Sequence, residues 1–133
     1  NALLALGRSE TMYFVATTDD AGKPLRSRCT YRVSGAPPKA RWWSITAYAD
    51  DMFLFAAPNR HYSLNGTSAQ LDEKGDFAFT TGARETAGLH WVPTPGDRGL
   101  VMTLRLYNPE PSLQTAPSSL QAPSIVAIGE CQP

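Results

Sequence analysis

Apolar and polar residues alternate along this chain in short runs bounded by Gly, Pro, Asn and Asp, a pattern that predicts strands. Six segments carry it: Met12 to Thr18 (MYFVATT), Cys29 to Val33 (CTYRV), Ala40 to Tyr48 (ARWWSITAY), Met52 to Ala56 (MFLFA), Asp76 to Thr81 (DFAFTT) and Leu100 to Tyr107 (LVMTLRLY). Each is rich in aromatic or β-branched residues, and the connectors DDAGKP, SGAPPK, ADD, DEKGD and PTPGDRG hold turn formers. Helical spacing is confined to the first eight residues, where Leu3, Leu4 and Leu6 share one side and Gly7 ends the run. After Tyr107 the sequence NPEPSLQTAPSSLQAPS has no periodicity, so residues 108–124 read as an extended Pro/Ser-rich arm. The apolar IVAIG beyond it suggests a return to the body as a short strand.

Side-chain direction in a strand reverses at each residue. In ARWWSITAY this puts Trp43, Ile45 and Ala47 on a core face and Trp42, Ser44, Thr46 and Tyr48 on the other. In LVMTLRLY, Leu100, Met102, Leu104 and Leu106 face the core, opposite Val101, Thr103, Arg105 and Tyr107. If the two strands share a sheet, Trp42, Tyr48, Arg105 and Tyr107 line one aromatic and cationic surface, to which the loop Asn59 to Tyr62 can add Asn59 and Arg60. Aromatic planes with a few polar groups are the usual lining of a small-ligand site. The competing structural reading is that Arg105 stacks on its neighbours and Trp42 covers the second face of its sheet.

Composition narrows the partners. With 133 residues the chain suits a single domain, and twelve Lys+Arg offset twelve Asp+Glu without a basic run, which disfavours nucleic acid. No apolar run is long enough to span a membrane; the opening NALLALGRSE lacks an initiator Met and reads as a trimmed chain whose signal or membrane segment is missing. Membrane attachment is expected only through such a segment. The cysteines, Cys29 and Cys131, have no metal or CxxC spacing. They are either two independent buried thiols or a bridge closing a loop near the 100-residue case, worth about 4.7 kcal/mol in the chain-entropy model.

Catalytic motifs are absent. There is no nucleophile elbow, phosphate loop, dinucleotide fingerprint, zinc-protease motif or calcium loop. His61 and His90 stand apart in sequence, most Asp residues fall in turns, and neither a metal nor a cofactor is expected. Asn65-Gly66-Thr67 formally fits a glycosylation sequon and is equally a turn.

Taken in order, SETMYFVATTDDAGKPL, CTYRV, PPKARWWSITAYADDMFLF, PNRHYSL, LHWVPTP and LRLYNPEP resemble the domain of unknown function 1214 family over nearly the whole chain. The most specific pieces are W-S-x-T-x-Y followed by P-x-x-R, then W-x-P-x-P and R-L-Y-x-P. The motif positions are Tyr13, Trp43, Ser44, Thr46, Tyr48, Asn59, Arg60, Trp91, Pro93, Pro95, Arg105, Tyr107 and Pro109. The resemblance implies an all-β, jelly-roll-like antiparallel β-sandwich; the short N-terminal helix and the C-terminal arm complete the expected architecture. Such domains occur either fused behind another domain of unknown function or as a short bacterial envelope protein with an N-terminal membrane segment; this chain is similar to the short form, which implies a location that is periplasmic or anchored facing the periplasm and, through its C-terminal cysteine, favours the Cys29–Cys131 bridge. The chain departs from the pattern at AAPNRHY, where His61 stands between Arg60 and Tyr62, and in the short loop GARETAGL.

These readings lead to a non-catalytic domain that binds a small polar or saccharide-like ligand, or an envelope protein, through Trp42, Tyr48, Asn59, Arg60, His90, Arg105 and Tyr107. The alternatives are a hydrolase, in which Arg60 or Arg105 steadies an anion while His90 or a carboxylate moves protons, and a purely structural module, possible as a homo-oligomer.

Overall fold

The computed structural model describes residues 3–8, 11–55, 62–86 and 88–131, the first stretch as backbone only. The strands are β1 (Leu3–Arg8), β2 (Thr11–Ala16), β3 (Tyr31–Gly35), β4 (Ala40–Ala49), β5 (Ser63–Asn65), β6 (Phe77–Gly82), β7 (His90–Pro93), β8 (Leu100–Pro109) and β9 (Ser124–Ala127). They form two sheets, one ordered β1-β2-β8-β4-β5 and the other β7-β6-β3-β9. The long strands β4 and β8 pair from Ala40↔Pro109 to Ala49↔Leu100 and form the centre of the first sheet.

Alternation packs the sheets together. From the first sheet, Phe14, Trp43, Ile45, Met102, Leu104 and Leu106 point inward; from the second come Tyr31, Val33, Phe77, Phe79, Val92 and Ile125, all in one hydrophobic cluster. The Trp43 and Phe77 rings meet across the core with centroids 5.0 Å apart. Gly66 closes over Trp43: its backbone N–H donates to the Trp43 carbonyl at 3.1 Å, and a Cβ there would stand 3.1 Å from the indole nitrogen. The neighbouring Asn65 acts as a turn former, its Oδ1 accepting the N–H groups of Thr67 and Ser68 at 2.8 and 2.9 Å.

Three expectations need correction. The first residues form no helix: the backbone of Leu3–Arg8 pairs antiparallel with β2, from Leu3↔Ala16 to Arg8↔Thr11. So short a segment cannot hold a helix by itself, and an open sheet edge supplies partners for every other backbone group. Met52 to Ala56 is not a strand in its described part. Met52 takes a left-handed conformation at φ 68°, the Ala49 N–H donates to the Phe53 carbonyl, and Leu54 alone bridges Tyr48. The two aspartates of the turn are the reason: Asp51 Oδ1 accepts the Phe53 N–H at 3.0 Å, folding the apolar residues into the turn. The pairing is not wholly antiparallel, since β6 and β7 run parallel from Phe79↔His90 to Gly82↔Pro93. β7 is only four residues long, so the short connection 83–89 can carry the chain back alongside β6.

The C-terminal arm crosses the molecule through a short helix, α1 (Pro111–Thr115), and a 3-10 turn (Pro117–Ser119), with Leu113 buried. It then returns as β9 on the free side of β3, Val33 opposite Ile125. Cys29 and Cys131 are joined by a disulfide across a sequence separation of 102. Nearby, the Ile128 N–H donates to the Thr30 carbonyl at 2.8 Å.

Candidate functional site

Strand register decides which expected residues meet. β4 and β8 are neighbours, so their outward residues face each other as Trp42↔Tyr107, Ser44↔Arg105, Thr46↔Thr103 and Tyr48↔Val101. β2 extends these rows on the far side of β8, with Thr11 opposite Tyr107, Tyr13 opposite Arg105 and Val15 opposite Thr103. β5 adds Asn65 beside Ser44 and Ser63 beside Thr46. Directly opposed side chains on one face are within contact reach.

Trp42 and Tyr107 therefore stand side by side at one end of the sheet, 37% and 45% exposed. Arg105 is one row further in, its guanidinium carbon 5.7 Å from the centre of the Tyr13 ring. That contact fixes the cation above an aromatic face and is worth about 0.5–1 kcal/mol at an exposed site. Among the described residues no carboxylate comes within 4.0 Å of Arg105. The surface is thus an aromatic pair flanked by a cation and by Ser, Thr and Asn side chains. Tyr48 shares the face but not the place, because six residues of strand put it about 20 Å from Trp42.

His90 is elsewhere. It opens β7 in the second sheet, and its Nε2–H donates to the Ser63 carbonyl at 3.1 Å, tying β7 to the end of β5. Asn59 and Arg60, with His61, lie outside the described residues. Of the groups named for a hydrolase, Arg60 or Arg105 with His90 or a carboxylate, Arg105 and His90 stand on strands of opposite sheets. No group of three His, Cys, Asp or Glu able to hold a metal ion occurs among the described residues.

Several motif residues serve the frame. Trp43 is core, and Ser44 is buried beside Arg105. The Trp91 indole N–H donates to the Gly82 carbonyl at 3.0 Å, closing the parallel pair. Thr94, between Pro93 and Pro95, donates its hydroxyl to the Ser27 carbonyl at 2.9 Å. Ser27 in turn donates to the Gly96 carbonyl and accepts the Arg98 N–H, which locks the proline-rich loop to the segment before β3. Two further residues stand outside the candidate set. Tyr13, a motif position, reads as an outward aromatic in MYFVATT, but only folding brings it under Arg105; Arg32 carries no local sign in the sequence.

Ion pairs concentrate at the loops. Arg98 reaches both Asp50 and Asp51, at 2.9 and 3.0 Å, while Arg26 and Arg28 converge on Asp97 at 2.7 and 3.3 Å. The Phe53 N–H and then Arg98 lower the pKa of Asp51, and Arg26 lowers that of Asp97. The Tyr31 phenol moves the other way, raised chiefly by burial.

These features define a two-sheet β domain with one exposed aromatic and cationic face. The chain belongs to the family described as protein of unknown function (DUF1214), whose model matches residues 10–111. Among curated proteins none matches it. It is similar in fold to the VPA0106 protein of Vibrio parahaemolyticus, with a TM-score of 0.79 at 20% identity, covering 90% of this chain and 31% of that one. An uncharacterised protein from Burkholderia cenocepacia is similar with a TM-score of 0.66 at 14% identity, covering 96% of this chain and 34% of that one. The chain therefore spans about one third of the length of these two solved structures.

Proposed function

We propose that this chain is a non-catalytic binding domain of the bacterial envelope that takes a polar, saccharide-like ligand on the outer face of β4 and β8. The observation that carries the reading is the direct pairing of two exposed aromatic residues, Trp42 and Tyr107, with Arg105 in the next row. A sugar ring presents an apolar face and a polar rim. The two aromatic planes offer the first a platform, while Arg105 and the Asn65 amide offer hydrogen bonds to the second. The long-range disulfide supports an oxidising compartment such as the periplasm, reached as a free or N-terminally anchored chain. No helix among the described residues is long and apolar enough to cross a membrane. Two sheets around one core support a jelly-roll-like sandwich as the architecture.

Calorimetric titration with neutral and acidic tetrasaccharides, such as chitotetraose and tetragalacturonate, tests the reading. Trp42→Ala and Tyr107→Ala should each weaken binding about tenfold, as expected of central aromatic contacts. Unchanged affinity in both variants, or no binding of any tetrasaccharide, would overturn it.

A further inference from the structure

The second sheet has its own outward face, and it is built differently. Arg32 projects from β3 onto this face, level with Thr80 of β6 and Val126 of β9. Around it stand residues of two loops, among them Ser68, Gln70 and Asp72 from one and Glu85, Thr86 and Leu89 from the other. A cleft of about 550 Å³ runs from Arg32 past Gln70 and Glu85 to His90. A second, of about 470 Å³, runs from Arg32 past Ser34 to Lys74. Both include Arg32, Asp72 and Asp76, so they join into one groove with Arg32 at the junction. Each part falls within the roughly 300–1,000 Å³ of small-molecule sites.

The charges in this groove are unevenly committed. Asp72 is occupied by its own turn, its Oδ1 accepting the N–H groups of Lys74 and Asp76 at 2.8 and 2.9 Å. The side chains of Asp76 and Glu85 make no hydrogen bond or ion pair among the described residues. Arg32 likewise has no carboxylate oxygen within 4.0 Å among them, although Asp72 feels its charge from further off. Beside Arg32, Thr80 is fully buried on the same face and its hydroxyl has no partner among the described residues. The groove thus offers one central guanidinium fork and a surplus of carboxylates: Asp72, Glu73, Asp76 and Glu85 against Arg32 and Lys74.

A ligand that matches this arrangement needs both signs of charge. A simple carboxylate can engage the fork in two parallel hydrogen bonds but meets the excess negative charge around it. A simple amine satisfies the carboxylates and leaves Arg32 opposed. We propose that the groove binds small zwitterions, a free α-amino acid or a dipeptide, with the carboxylate on Arg32 and the ammonium toward Asp76 and Glu85. This site is separate from the Trp42 face, on the opposite sheet.

The test is a titration of the disulfide-intact chain with alanylalanine, its N-acetylated form and its C-terminal amide, followed by calorimetry and amide chemical shifts. Alanylalanine should bind with a dissociation constant of about 1 mM or tighter. Capping either end should weaken binding at least about tenfold, the cost of one lost charge-assisted contact. Arg32→Gln should do the same, with Arg32→Lys recovering part of the loss, while Trp42→Ala leaves binding unchanged. Equal affinity for the capped forms, indifference to Arg32→Gln, or no response up to about 10 mM would overturn the proposal. The capped ligands need no variant, so the outcome stands even if an Arg32 substitution fails to fold.

Discussion

The two outward faces of this domain obey the same alternation yet differ in almost every other respect. On the first sheet the outward residues of β2, β8 and β4, from Thr11 and Trp42 to Val101 and Tyr48, include a single charged side chain, Arg105. The exposed aromatic pair stands there on strands, placed by register. On the second sheet the outward face is flanked by loops and crowded with charge, and the exposed Arg32 lines both clefts. Strands set the first surface; loops make the second. The difference matters for recognition, because a flat aromatic face selects shape and stacking whereas a charged groove selects the sign and spacing of charge.

Both faces depend on a shared core and one covalent link, and these set the largest expected effects. Replacing the cystine by Cys29→Ser and Cys131→Ser should lower stability by about 4.7 kcal/mol, the chain-entropy value for a loop of this size, as read from urea unfolding. The loss should be unequal: hydrogen exchange should rise first in β9 and β3, leaving β4 and β8 protected. Uniform loosening of both sheets would show that they do not open separately. Phe77→Ala removes the ring that meets Trp43 between the sheets and should cost about 3–5 kcal/mol in the same measurement. Here both faces should weaken together, as the cavity belongs to neither sheet alone.

Smaller effects separate the faces from their frame. Arg105→Ala removes the contact with Tyr13 and should cost only about 0.5–1 kcal/mol. It should leave alanylalanine binding untouched; a change there would couple the two faces. Least of all should be the response to acid. The carboxyl of Asp97 is lowered from 3.8 by its hydrogen bond to Arg26, so its contribution is present above that value and lost as pH falls through the folded-state pKa. Thermal melts taken from pH 5 to below pH 4 should show a slight decline that Asp97→Asn flattens, a shallow effect because this pair is exposed.

The sequence made the first face largely legible and the second hardly at all. Trp42, Arg105 and Tyr107 could be assigned to one side from the period-two pattern alone, since it depends only on backbone geometry, and neighbouring β4 and β8 completed the inference. Tyr48 shows its limit: a shared face does not imply a shared site when strands are long. β1 hides from a local pattern because its backbone partners lie in β2, while its leucine spacing resembles a helical stripe. Arg32 gives no local sign because its surroundings, such as Gln70, Asp72 and Glu85, are distant in sequence and are brought near β3 only by the fold. His90, a candidate by residue type alone, lines the groove of the other sheet.

The bond between Cys29 and Cys131 has a topological consequence as well as an energetic one. It turns residues 29–131 into a covalent ring, and the arm is part of that circle. A protease that cuts once in the exposed turn at Phe53, 72% accessible, opens the circle without freeing a fragment. Such a nicked molecule would run as one species on a non-reducing gel and as two after reduction, its strands still held by both the sheets and the ring.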